Sequence, residues 1–255
     1  MGTARAYVDD LSVSRVRGTP LADEPGIGAL TIPGYLREVC TRYEGREALV
    51  LHHRDGHIER WSYQQLWERS VEVAKALIAA GAGKDSRIGI LMTNRPEYLS
   101  ALFGTALAGG VSVALSTFST PSELEHLVAA SGISTLLFED AVLKTDFAAM
   151  LLQLEPGIAE AAPGQLQSTK FPFLRHLVRL AGLTGSADIA RPADEAFGSC
   201  EAWDTFIARG ASVPEQVVAA RAAKVCPADT GGLFFSSGTT SLPKGIFHAQ
   251  QAFAI

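Results

Sequence analysis

The sequence has little cysteine, no surplus of positive charge and no long apolar run. Only Cys40, Cys200 and Cys226 occur in 255 residues, an odd number at wide spacing with no C-x-x-C pair. That excludes a disulfide framework and the usual spacings of a zinc site. It fits a reducing, cytoplasmic setting. Lys and Arg number 22 against 27 Asp and Glu, a formal net charge of -5. A partner in nucleic acid or a membrane surface would call for a basic excess instead. The apolar runs are broken by Gly, Arg or Glu, and none reaches the roughly 18 residues of a membrane span. The opening MGTARAYVDDLSVSRVRG lacks a signal-peptide core. What remains is 47% hydrophobic and 19% charged, which is ample for a buried core.

Residues 1–30 hold few periodic apolar positions and read as a surface arm ahead of a body over 31–255. A short amphipathic helix is expected over 31–45, then a hairpin whose strands, ALVLHH and IERWSY, flank a turn at Asp55-Gly56. Over 63–80, Leu66, Ser70, Val73, Ala74, Leu77 and Ile78 share one helical face, with charges elsewhere. Strands over 87–92, 111–115 and 134–140 alternate with helices opened by Pro96 and Pro121. Thr120 and Glu123 have capping-box spacing. The β-α-β-α-β order and the wholly apolar strands predict an α/β core, a mostly parallel sheet with flanking helices. Further on, the pattern predicts a helix over 141–155, a strand within 171–182, and helices over 201–210 and 214–223.

The informative stretch is DTGGLFFSSGTTSLPKGIFHAQ, from Asp229 to Gln250. GLFF reads as a strand. After it, backbone N–H groups and the hydroxyls of Ser236, Ser237, Thr239 and Thr240 could wrap an anion. Gly238 allows close main-chain approach, and Lys244 supplies a mobile cation. The pattern is not G-x-x-x-x-G-K-[ST], because the lysine follows Pro243, which disfavours a helix there. On composition alone, an ordinary solvated Ser/Thr/Gly connection fits equally well.

FFSSGTTSLPKG resembles the signature loop of the adenylate-forming superfamily of acyl-CoA synthetases, aryl-CoA ligases, adenylation domains and luciferases. The match rests on Ser237, Gly238, Thr239, Thr240, Pro243, Lys244 and Gly245. The Asn94-Arg95-Pro96-Glu97 turn and the spacing of Thr120, Leu124, Ser131 and Gly132 also resemble the family, so that the likeness runs from about residue 30 to 255. It implies the N-terminal portion of the large domain of the adenylate-forming fold, with the small C-terminal domain absent. It also implies an ATP-dependent ligase that activates a carboxylic acid as an acyl-adenylate, releases pyrophosphate and passes the acyl group to coenzyme A. Loading of a carrier protein, and a non-catalytic nucleotide-binding role, are the alternatives.

By this resemblance Ser236, Ser237, Gly238, Thr239, Thr240 and Lys244 would bind ATP phosphates, with Lys244 and Thr240 the catalytic pair. Mg²⁺ would ride mainly on phosphate oxygens, with no dedicated protein cage. Partners would be a carboxylic acid, coenzyme A and a second copy in a homodimer, with no nucleic acid and no transmembrane segment. The 255 residues alone are expected to complete neither half-reaction.

Ser241 stands where glycine is commonest, and Gln250 where many relatives have histidine, which places Gln250 near the acyl or nucleotide pocket. His248 reads either as a pocket residue or as part of a strand. Trp61 and Trp67 read as packing, and His52, His53 and His57 as surface residues of the hairpin. Lys84 and Arg87 read as a structural basic turn, and His126 as solvated between acidic neighbours on its helix. Cys226 has no partner motif for a nucleophile.

Overall fold

The computed structural model describes residues 28–184, 192, 194–236 and 242–254. The expected arm over 1–30 therefore lies almost wholly outside the described residues.

The chain begins with helix α1 (Ile32–Tyr43), capped by Thr31, whose hydroxyl accepts the Gly34 N–H. Strands β1 (Glu47–His52) and β2 (Ile58–Ser62) form the predicted antiparallel hairpin, and Gly56 takes the positive φ its turn requires. Helix α2 (Tyr63–Ala79) follows directly, opened by a Ser62/Gln65 capping box. Leu66, Val73, Ala74 and Leu77 are buried along it, the face anticipated from their spacing.

Strand β3 (Arg87–Leu91), helix α3 (Pro96–Leu107), strand β4 (Val111–Ala114), helix α4 (Pro121–Ser131) and strand β5 (Thr135–Glu139) make the predicted β-α-β-α-β run. The Thr120/Glu123 capping box is present, and Gly132 ends α4 in the left-handed region at φ 62°. Gly104 lets α3 lie close on α2, since a Cβ there would sit 2.8 Å from the Ser70 carbonyl.

The stretch expected as one helix over 141–155 differs. Strands β6 (Ala141–Val142) and β7 (Thr145–Asp146) form a small hairpin first, and helix α5 (Phe147–Leu154) starts only after it. The cause is Asp146, whose carboxylate accepts the Ala149 N–H and so fixes the helix start there. A short helix α6 (Gly157–Glu160) precedes strand β8 (His176–Leu180). The helix expected over 201–210 is likewise shortened. Strand β9 (Cys200–Ala202), fully buried, pairs parallel to β8 before helix α7 (Trp203–Arg209) begins. Helix α8 (Glu215–Ala222), strand β10 (Thr230–Ser236), strand β11 (Lys244–Ala249) and helix α9 (Gln251–Ala254) complete the described chain.

Seven strands make the main sheet in the order β11-β10-β4-β3-β5-β8-β9, parallel throughout except for the β10–β11 pair. Ile88, Ile90 and Leu137 pack with α1, α2, α3, α7 and α8 on one face, while Leu91, Leu136 and Phe138 pack with α4 and α5 on the other. The connection through α3 steps to one side of β3, and the connection through α4 steps back over it. Strand order thus reverses at β3, the arrangement that opens a crevice at the carboxyl ends of β3 and β5.

Candidate functional site

The carboxyl edge of the sheet carries two features side by side in the strand order. The first is the mouth of the Ser/Thr/Gly segment. Ser236 ends β10, Lys244 starts β11, and the two face each other as the last antiparallel pair. Both are exposed at this edge. Of the residues expected to wrap phosphate, Ser237, Gly238, Thr239 and Thr240 lie outside the described residues, as does Ser241. The strand pairing brings Ser236 and Lys244 together across the opening. Lys244 has no ion-pair partner among the described residues.

His248 and Gln250 are not at that mouth. Four residue steps of strand lead from Lys244 to His248, about 13 Å at the usual rise. The His248 ring meets Phe234 edge-on at 5.3 Å and lies 6.2 Å from Phe253, inside an aromatic cluster. Gln250 is buried, and its Oε1 accepts the Ile32 N–H at 3.0 Å. It completes the cap of α1, a role the sequence did not suggest.

The second feature is a cleft of about 480 Å³ at the point of strand reversal, with Thr93, Asn94, Phe118, Leu143 and Thr184 in its wall. The buried Glu139 carboxylate holds Thr93 of that wall in place. One oxygen accepts from Thr93 N at 3.0 Å and Thr93 Oγ1 at 2.7 Å, and the other accepts from Leu183 N at 2.7 Å. The Asn94-Arg95-Pro96-Glu97 turn stands beside it. Arg95 grips Glu97 with two hydrogen bonds of 2.8 and 3.1 Å and donates to the Ala181 carbonyl. Burial pushes the Glu97 carboxyl up, but the Arg95 hydrogen bonds and charge outweigh it and leave the group below its ordinary value. Phe118 is 87% exposed at the rim, and Leu143 holds a positive φ of 54°, an uncommon state for a branched residue. A largely apolar cleft with Thr93 held in place and an exposed aromatic at the rim suits a small-molecule ligand.

Among the described residues, no three His, Cys, Asp or Glu side chains converge as a metal centre, and no helix is long and apolar enough to cross a membrane. Lys84 pairs with Asp229 at 3.0 Å, and Arg87 donates to the Ser131 carbonyl. His126 departs from its expected solvated state. It is half-buried, and its Nε2 lies 2.9 Å from the Pro243 carbonyl oxygen, beside the mouth. A separation of 117 residues left no local signal of that contact.

The family model described as AMP-binding enzyme matches residues 36–255. The chain is 30% identical over 221 residues to 3-[(3aS,4S,7aS)-7a-methyl-1,5-dioxo-octahydro-1H-inden-4-yl]propanoyl:CoA ligase of Mycobacterium tuberculosis, covering 87% of this chain and 37% of that protein. It is 28% identical over 222 residues to the acyl-CoA ligase SID4 of Ajellomyces capsulatus, covering 87% and 33%. The solved structure of the anthranilate CoA ligase AuaEII in complex with anthranoyl-AMP shares the fold, with a TM-score of 0.68 at 19% identity over 92% of this chain and 37% of that one. The chain thus spans little more than a third of the length of these relatives.

Proposed function

The chain belongs to the AMP-binding enzyme family, and from that premise we propose that it carries the ATP-phosphate site of an acyl-CoA ligase. The whole protein would join a carboxylic acid to the α-phosphorus of ATP and release pyrophosphate. It would then pass the acyl group from AMP to the thiol of coenzyme A. The single observation that carries this reading is the Ser236–Lys244 pair. It closes the Ser/Thr/Gly segment at the carboxyl edge of a parallel sheet, where α/β folds bind ligands. Lys244, exposed and unpaired among the described residues, is free to meet phosphate oxygens.

In this reading Ser236, Ser237, Gly238, Thr239 and Thr240 supply hydroxyl and backbone donors, and Lys244 supplies charge. Donors fixed in advance stabilise charge that develops on the departing pyrophosphate. Mg²⁺ would neutralise phosphate charge while bound mostly to phosphate oxygens and water. In this reading the cleft beside Phe118 would receive a further small-molecule partner.

The test is pyrophosphate release across a panel of aliphatic, alicyclic and aromatic carboxylic acids, using the protein as its gene encodes it. Acid-dependent release is expected, and Lys244→Ala should raise the KM for ATP about tenfold or more, the usual weight of a charged hydrogen bond. Release that ignores Lys244 would sink the assignment.

A further inference from the structure

We propose that His126 is a positioning residue for Lys244, acting through the carbonyl of Pro243. The proposal rests on the phosphate-site reading above and adds a residue from a distant part of the chain to it.

Pro243 immediately precedes Lys244, and its ring fixes φ near −65°. Its carbonyl is its only backbone polar group. A carbonyl oxygen can only accept, so the Nε2 of His126 at 2.9 Å must carry the proton and donate. Neutral and cationic imidazole both meet that need. With φ set by the ring and the carbonyl held by His126, ψ of Pro243 is fixed too. Lys244 is itself paired to Ser236 in the sheet. The direction of its Cα–Cβ bond is therefore set, and only side-chain torsions remain free.

His126 is a firm anchor. Its helix, α4, is held by the capping box at Thr120 and Glu123 and by buried Leu124, Leu127 and Val128. A second link joins α4 to β11. Arg87 donates to the carbonyl of Ser131, the last residue of α4, and its guanidinium lies 5.3 Å from the ring centre of Phe247 on β11. The helix thus braces the strand that begins with Lys244 at two separate points.

The experiment measures carboxylate-dependent ATP–pyrophosphate exchange in the protein as its gene encodes it. The variants are His126→Phe, His126→Gln, Lys244→Ala and the Phe/Ala double. His126→Phe should raise the KM for Mg·ATP about fivefold, the size of one neutral hydrogen bond. The KM for the carboxylate should stay within about twofold of wild type by the same measure. His126→Gln, whose amide NH₂ can occupy the place of Nε2, should restore most of the ATP affinity. In the Lys244→Ala background the His126→Phe change should add almost nothing, because coupled residues are not additive. An unchanged ATP KM in His126→Phe, a failed rescue by glutamine, or a full additive effect beside Lys244→Ala would each overturn the proposal. Failure of the phosphate reading is distinct. There Lys244→Ala alone leaves the ATP KM untouched, or no acid supports exchange, and both ideas fall.

Discussion

Arg179 and Asp140 form an ion pair at 2.7 Å with both side chains sealed from water. Asp140 also accepts the Gly182 N–H at 2.9 Å, and Arg179 donates to the Pro192 carbonyl. The pair ties the end of β5 to β8 and to the segment that follows. Replacing the arginine alone removes the buried cation that faces the Asp140 carboxylate at 2.7 Å. Arg179→Met is expected to cost about 3–5 kcal/mol in urea unfolding. Adding Asp140→Asn should cost less than the sum of the two single changes, since the partners share one interaction. Additive losses would show that the two act separately.

Gln250 is the next test, because it separates a pocket role from a structural one. Its Oε1 holds the N–H of Ile32, one of the first-turn donors that a helix cannot satisfy within itself. Gln250→Leu leaves that buried donor unpaired, and the expected cost is about 1–3 kcal/mol. Gln250→Glu keeps an acceptor oxygen and should retain part of the cap. If Gln250→Leu changes acid preference while leaving the melting temperature alone, the capping role is wrong.

The helices and the central strands were legible because their signals are local. The 3.6-residue spacing of Leu66, Val73 and Leu77, the Thr120/Glu123 box and the apolar runs at 87–92 and 134–140 each name an element without outside help. The β6–β7 hairpin was hidden by its shortness. Two residues per strand carry no period, and the apolar stretch around it suits a helix until Asp146 is seen to cap one. The fully buried strand β9 is three residues long and defined by its pairing with β8. At the candidate site, Lys244 is singled out by the Ser/Thr/Gly run before it. The roles of Gln250 and His126 were not, since their partners lie 218 and 117 residues away. Polar residues at such distances become neighbours only through the topology of the sheet.

His176, at the start of β8, should imprint a pH dependence on stability. Burial lowers its pKa, the Glu201 charge opposes that, the Arg209 cation adds to it, and a backbone hydrogen bond at Ala80 opposes it; the net shift is downward from 6.5. Between the native value and 6.5 the unfolded chain binds more protons, so stability rises with pH through that interval. The neutral ring's contribution is complete above 6.5 and is lost as the pH falls below it through the native value. His176→Phe should flatten the urea midpoint on the acidic side of 6.5 relative to wild type. An unchanged slope would mean that other groups govern that limb.

The three cysteines provide a readout of opening that needs no denaturant. Burial pushes the Cys40 thiol up to about 11, and burial pushes Cys200 up to about 12 despite the opposing Arg179 cation. Cys226 is exposed. The thiolate is the reactive form, so a buried thiol with a raised pKa should be inert to a disulfide reagent near pH 8. One equivalent, at Cys226, is expected to react quickly in the native protein, and three after unfolding. Cys200 sits at full burial in β9 and can react only when that edge of the sheet opens. Where reclosing outruns modification, its slow rate divided by that of an exposed thiol gives the open fraction directly. Arg179→Met should raise that fraction by about two to four orders of magnitude, matching the 3–5 kcal/mol expected from urea. A Cys200 that reacts as fast as Cys226 in the native protein would contradict the closed β8–β9 edge on which this comparison depends.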